Sequence, residues 1–478
     1  MAATTSTKHV VLFPFPGQGH LASFVEAARL LRRTLPGDDV TITLVSTPRN
    51  VAALSASSCS SFLNFHALPF VPADHGLPAD CESLSSLPIP AFITLFEAFE
   101  SLESAFDAYI SRLVADDEKP VCVVIADVFV AWTVRVARRR GCGHAVLVSC
   151  GALGTAILHA LLRNLPAPPP FGDDGLLRLP EHPEVELHRS QISSVFLLSG
   201  GARDRWTSFQ HRQIRHGYLT DAVLMNTVQE LEPVGLAMAR RTLGEQVPVF
   251  PIGPLVREDL AADGDGSVMR WLDSQTPSSV LYISFGSQNS IRSEQMMQLA
   301  VALESTGRPF VWAFRSPVGQ IDGRGEWLPE GFEARARAAN RGVLVHGWSP
   351  QVRILAHGST GAFLSHCGWN SVLESLTHGV PIVGWPLSAE QFYNAKLLAE
   401  EWGVCVEVAR GNQPESSAVE SGKVAEVVET VMGGTAEASE MRRRVAEVQE
   451  LMKRAWAEDG GSSTTALREF LRATRLQC

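Results

Sequence analysis

The sequence predicts an α/β chain of two β/α/β domains facing a central cleft, and three observations carry that expectation. The chain opens strand–helix–strand, with His9 to Phe13, an amphipathic stretch from Leu21 to Arg33 and β-branched Val40 to Val45. A fresh first strand, Val280 to Phe285, follows a proline-punctuated strand and a charged, glycine-bearing stretch from Arg257 to Gly266. From Gly342 to Gln391 three strand-to-helix steps then run in succession. Repeated steps of this kind make parallel sheets, whose ligands sit at the carboxyl ends of the strands.

Composition narrows the class. The 478 residues are enough for two cores, and 45% apolar with 19% charged content is ordinary for a globular chain. A net charge of −10 argues against nucleic acid as a partner, so any bound anion must be held by local donors. The eight cysteines show no C-x-x-C pair and no disulfide-like spacing, which predicts reduced thiols, a cytoplasmic setting and no zinc site. The longest apolar run, Ala145 to Leu162, is interrupted by Ser149, Gly151, Gly154, Thr155 and His159. It reads as a strand and a helix, so no stable membrane insertion is expected. The run Val10 to Phe15 is short and broken by Pro14, and suits a first strand better than a leader. A monomer is expected.

In the first half, the turn Pro14 to His20 contains Gly17-Gln18-Gly19-His20-Leu21-Ala22, the loose dinucleotide pattern G-x-G-x-x-A. That pattern wants an acid at the end of the second strand, which here ends Val45-Ser46-Thr47-Pro48, so an NAD site is not expected. His20 then stands out. It opens a helix at a strand's carboxyl end, where the helix dipole disfavours its protonation. Pro120 to Asp127 is a buried-strand run ending in a carboxylate. Asp127 either caps the next helix or accepts from one nitrogen of His20, leaving the other as a base. A further strand, Ala145 to Val148, ends at Ser149. Pro88 to Val114 reads as helical, with Phe92, Leu95, Phe96, Phe99 and Leu102 on one side. Such a stripe is core unless it faces the cleft, where it would line a pocket. Leu165 to Pro183, with Pro166, Pro168, Pro169 and Pro170, reads as loop, and Glu184 to Trp206 as loop plus a short helix.

In the second half, Ser267 to Ser274 starts a helix and Gly286-Ser287 ends the strand after it in a turn suited to phosphate. Gly342 to His346 is a strand, with Ser349 as N-cap and Pro350 at the first helical position of the next helix. Ala362 to Ser365 is a strand, His366 to Trp369 its turn, and Asn370-Ser371 opens a helix that Gly379 closes. Val380 to Val383 is the third strand, followed by a turn and a helix from about Ala389. A loop at Gly460 to Ser463 and a helix from Thr464 to Leu476 end the chain. Gly368 lets the backbone approach a ligand, while the Asn370 amide and Ser371 hydroxyl add donors to the free N–H groups of a helix start. Trp348 and Trp369 can stack on a base or lie against a sugar, and Glu390-Gln391 offers carbohydrate-binding groups. A nucleotide sugar fits all of these.

The 44 residues from Trp348 to Gln391 resemble the signature box of plant family 1 UDP-dependent glycosyltransferases. The match rests on Trp348, Gln351, His366, Gly368, Trp369, Asn370, Ser371, Glu374, Pro386, Glu390 and Gln391. Many members carry Asp where this chain has Glu390. The resemblance implies a GT-B fold, two Rossmann-like domains facing a cleft. It implies that Trp348 stacks on uracil, that Gln351 and Glu374 hold the ribose, and that Trp369, Glu390 and Gln391 contact the hexose. It also implies that His366, Asn370, Ser371 and the Ser287 of an S-F-G-S motif hold the diphosphate. Gln391 points to UDP-glucose. His20 matches the family's general base, Asp127 its partner, and Ser149 a position that touches the donor sugar. The implied domains are an acceptor-binding domain over 1–254, a linker over 255–268, a UDP-sugar-binding domain over 269–458 and a helix over 459–478 crossing back. The implied activity is that of a hexosyltransferase. It moves glucose with inversion from UDP-glucose to a hydroxyl of a small lipophilic plant metabolite, phenolic (flavonoid) or terpenoid, with no metal and no other cofactor. C-glucosylation of a phenolic ring, sugar elongation of a glycoside and a non-catalytic UDP-sugar-binding protein are the alternatives.

Overall fold

The computed structural model describes residues 7–56, 62–115, 121–164, 171–192, 201–257, 266–287, 289–316, 327–411 and 419–477. Pro120, Pro166, Pro168, Pro169, Pro170 and residues 258–265 of the expected linker lie outside the described residues.

The strands in chain order are β1 (Lys8–Phe13), β2 (Val40–Ser46), β3 (Asn64–Ala67), β4 (Val121–Asp127), β5 (Gly143–Val148), β6 (Leu176–Leu179), β7 (His182–His188), β8 (Ala222–Met225) and β9 (Val249–Pro251). The second half adds β10 (Val280–Ser284), β11 (Phe310–Phe314), β12 (Gly342–His346), β13 (Thr360–Ser365), β14 (Ile382–Gly384) and β15 (Cys405–Glu407). Among the described residues two parallel sheets form, in the orders β3-β2-β1-β4-β5-β8-β9 and β12-β11-β10-β13-β14-β15. Their central strands are runs of Val, Ile and Leu buried on both faces, as helix-covered parallel strands require. The expected two-domain α/β architecture is therefore what the chain forms.

Register decides which loops meet. β1 lies between β2 and β4 with Phe13 opposite Ala126, so the turn after β1 and the end of β4 share one sheet edge. In the second sheet Ser284 pairs with Ser365 and Ser365 with Gly384, so the turns after β10, β13 and β14 open side by side. The closing helix, Ser462–Ala473, buries Leu467, Phe470 and Leu471 in the core of the first sheet rather than the second. The Phe470 ring lies 5.8 Å from that of Phe250, and Ser463 Oγ donates to the Gly253 carbonyl at 2.5 Å.

Several local expectations are corrected. The stretch read as loop from Leu165 contains, beyond 170, the antiparallel hairpin β6-β7, in which Leu177, Leu179, Val185 and Leu187 are buried. Their alternation was outweighed in the sequence by the prolines before it. The short helix expected before Trp206 is a 17-residue helix, Gly201–Gly217. Pro88 to Val114 forms two main helices, Phe92–Glu100 and Glu103–Ala115, parted at Ser101, whose hydroxyl turns back to the Ala98 carbonyl. Ser349 is not a cap: Pro350 occupies that place ahead of the Gln351–Ala356 helix, and the Ser349 hydroxyl lies 2.8 Å from that of Tyr282. The third strand of the box begins at Ile382, and the helix expected from Ala389 begins at Gln391, because Ala389 has a left-handed φ of 52°. No described helix is long and apolar enough to cross a membrane. Cys81, Cys122, Cys142, Cys150, Cys367 and Cys405 are free thiols.

Candidate active site

The facing carboxyl edges of the two sheets enclose a cavity of about 710 Å³. On the first-domain wall, His20 sits in the opening turn of the Gln18–Thr34 helix, its side chain 21% exposed toward the cavity. Its Nδ1 lies 2.7 Å from Asp127 Oδ2. A carboxylate accepts only, so Nδ1 carries the hydrogen and Nε2 of the neutral ring has a free lone pair. Asp127 fills both roles the sequence left open, because its Oδ1 accepts from Phe129 N at 3.0 Å and caps the following turn. Ser149 Oγ lies 3.3 Å from the same Nδ1, which places that hydroxyl against His20 as well as on the cavity wall.

The protonation of His20 departs from expectation. Burial pulls its pKa down, but the adjacent Asp127 charge and hydrogen bond, with Glu390 further off, outweigh that and raise it above 6.5. The helix dipole therefore does not decide its charge. Around the ring, Phe15 and Phe129 pack at centroid distances of 6.5 and 5.3 Å. The Phe92–Glu100 stripe is mainly core, with Leu95, Phe96 and Phe99 buried, yet Phe92 and Phe96 also line the cavity. Sequence reasoning missed Phe129 and Trp206, two more aromatic lining residues; nothing in their local pattern separates cavity from core.

On the opposite wall, Trp348 is 51% exposed at the cavity rim. Gln351 Nε2 donates to Glu374 Oε2 at 2.6 Å and to Ser371 Oγ at 3.0 Å, while Tyr282 OH donates to Gln351 Oε1 at 3.1 Å. Tyr282 was not singled out from sequence, where it is one more apolar-strand residue. The Nε2 end of the His366 ring packs against two glycines: a Cβ on Gly286 would come 2.6 Å from that atom, and one on Gly368 2.5 Å. Burial lowers its pKa to about 4, so it is a neutral donor–acceptor. The next residue, Cys367, holds a φ of 61°, fixed by Ser365 Oγ accepting from its N–H and Asn394 Nδ2 donating to its carbonyl. Strain of this kind persists only where its surroundings impose it. Ser287 lines the same cavity.

Three further box residues have side-chain groups already engaged. Asn370 Nδ2 donates to the Gly19 carbonyl at 2.9 Å, and Ser23 Oγ donates to Asn370 Oδ1 at 3.2 Å. Trp369 is 2% exposed, and its Nε1 donates to the Asn226 carbonyl at 2.6 Å. These two side chains thus bridge the domains rather than point freely at a ligand. Gln391 Oε1 accepts from Leu387 N and Ser388 N, both at 3.0 Å. Burial pushes the Glu390 carboxyl up, against the pull of His20. The second-domain wall thus offers an exposed indole, a carboxylate–amide pair, a neutral histidine and a helix start at Gly368, opposite a histidine paired with a carboxylate.

Comparison with known proteins points to one family. Residues 264–434 match the family described as UDP-glucoronosyl and UDP-glucosyl transferase. UDP-glycosyltransferase 92A1 of Arabidopsis thaliana is 39% identical over 97% of this chain and 96% of the relative. Crocetin glucosyltransferase 3 of Crocus sativus is 39% identical over 83% of this chain and 86% of its own. Among solved structures, UGT73P12 of Glycyrrhiza uralensis, complexed with glycyrrhetinic acid 3-O-monoglucuronide, superposes with a TM-score of 0.82. It is 29% identical, over 98% of this chain and 96% of that one.

Proposed function

The chain belongs to the plant family 1 UDP-glycosyltransferases, and on that premise we propose that it transfers glucose from UDP-glucose, with inversion, to a hydroxyl of a small lipophilic metabolite. The observation that carries this reading is the His20–Asp127 pair at 2.7 Å, facing across one cavity the helix start at Gly368. His20 Nε2 takes the proton of the acceptor hydroxyl as its oxygen attacks the anomeric carbon. The bond from that carbon to the diphosphate oxygen breaks, UDP leaves, and the α-linked donor becomes a β-glucoside. Asp127 orients the ring and steadies the imidazolium.

The donor spans the second domain, its uracil on Trp348, its ribose on Gln351 and Glu374, and its hexose near Glu390 and Gln391. Charge growing on the diphosphate meets His366, Ser371, Ser287 and the N–H groups of the Trp369–Thr377 helix, donors already in place before reaction. The aromatic lining beside His20 favours an apolar acceptor. No step draws on a metal. His20→Ala, assayed with UDP-glucose, a panel of phenolic and terpenoid acceptors and excess EDTA throughout, is expected to lose roughly 10²–10⁴ in turnover relative to an active wild type. Retained turnover in that variant, or a wild type silenced by EDTA, would refute the mechanism.

A further inference from the structure

Among the described residues lining the cavity, the only guanidinium groups belong to Arg257 and Arg315. Arg257 lies over the Trp348 ring, 4.9 Å from its centroid, at the base end of the donor site. Arg315 is placed differently. It follows β11, whose Trp312 pairs with Ile283, and that register sets it level with Gly286, the turn that touches His366. Its Nη1 donates to the Ser287 carbonyl at 2.7 Å, and no carboxylate pairs with it among the described residues. Burial pulls its pKa below the usual guanidinium value without discharging it. A half-buried cation without an acid partner is costly unless an anion reaches it.

The rest of the donor wall leaves such an anion undercompensated. Ser287 and Ser371 are neutral donors, His366 stays neutral, and a helix start supplies only about half a charge. Glu374 and Glu390 on the same lining add no positive charge. We infer that Arg315 is a donor-site residue whose guanidinium balances the diphosphate charge while bracing the Gly286-Ser287 turn. The inference rests on the UDP-sugar reading above.

Calorimetry with UDP and with uridine separates charge from bracing. Arg315→Gln keeps an amide donor for the Ser287 carbonyl and removes the charge. It is expected to weaken UDP binding by about tenfold or more and to leave uridine binding unchanged. Arg315→Lys, which keeps the charge, should retain most of the preference for UDP over uridine. Equal losses for both ligands, unchanged UDP affinity, or a Lys variant as indifferent to phosphate as the Gln variant would overturn the inference. A wild type that bound no UDP would instead remove the donor reading itself.

Discussion

At the scale of the residue, His20 shows two influences in opposition and which one wins. Burial alone would lower the imidazole pKa from 6.5, but the Asp127 carboxylate at 2.7 Å outweighs that and raises it. The base must be neutral to accept a proton, so kcat/KM should rise with pH through a value above 6.5 and flatten beyond it. In Asp127→Asn the main raising influence is gone while burial remains, so that acidic limb should move to lower pH. Turnover should also fall, on the order of 10² or more, because an amide neither forces the hydrogen onto Nδ1 nor steadies the imidazolium. A pH–rate profile of both proteins checks this; a limb that stays put would mean another group controls it. Asp127 also shows why one residue can resist a single sequence reading: its two oxygens serve a cap and a histidine at once.

At the scale of the element, the turns after β10 and β13 work as one unit. Gly286, with a φ of 80°, and Gly368 both pack against the Nε2 end of the His366 ring, and Cys367 next to Gly368 is held left-handed. A methyl group at Gly286 meets both a disfavoured backbone, costing roughly 1–2 kcal/mol, and the imidazole itself. Gly286→Ala is expected to lower UDP affinity about tenfold or more, measured by calorimetry. Gly358→Ala, where a Cβ meets open space, should not. Equal behaviour of the two would show that the turn does not hold the donor. The glycines and the histidine were legible as a spaced motif. Their mutual packing was not, because it joins strands 80 residues apart.

At the scale of the whole molecule, the two domains bond directly to one another. The Trp369 indole and the Asn370 amide, both in the box, bond to Asn226 and Gly19 of the first domain. Trp402 Nε1 donates to the Leu231 carbonyl, and the closing helix seats Phe470 in the first domain's core. The face of the Trp369–Thr377 helix is therefore an interdomain contact that touches the helix turn carrying His20. Phe470 is fully buried, and Phe470→Ala should cost about 3–5 kcal/mol in denaturant unfolding. A loss below about 1 kcal/mol would mean the closing helix is an appendage.

The sequence by itself determined the strand–helix order of the two sheets and the residue types at their strand ends, though not the β6-β7 hairpin. Strand–helix alternation, buried Val-Ile-Leu runs and the fixed spacing from Trp348 to Gln391 follow from local periodicity and near-neighbour turns, so they can be read along the chain. Only the tertiary structure decided the partnerships. The register of β1 on β4 brought His20 to Asp127, the pairing of β10 with β11 set Arg315 beside Ser287, and closure of the domains engaged Trp369 and Asn370. The His20 pKa rises through a carboxylate 107 residues away in sequence. Charge, burial and hydrogen-bond partnership depend on distance in space, which no local pattern along the chain encodes.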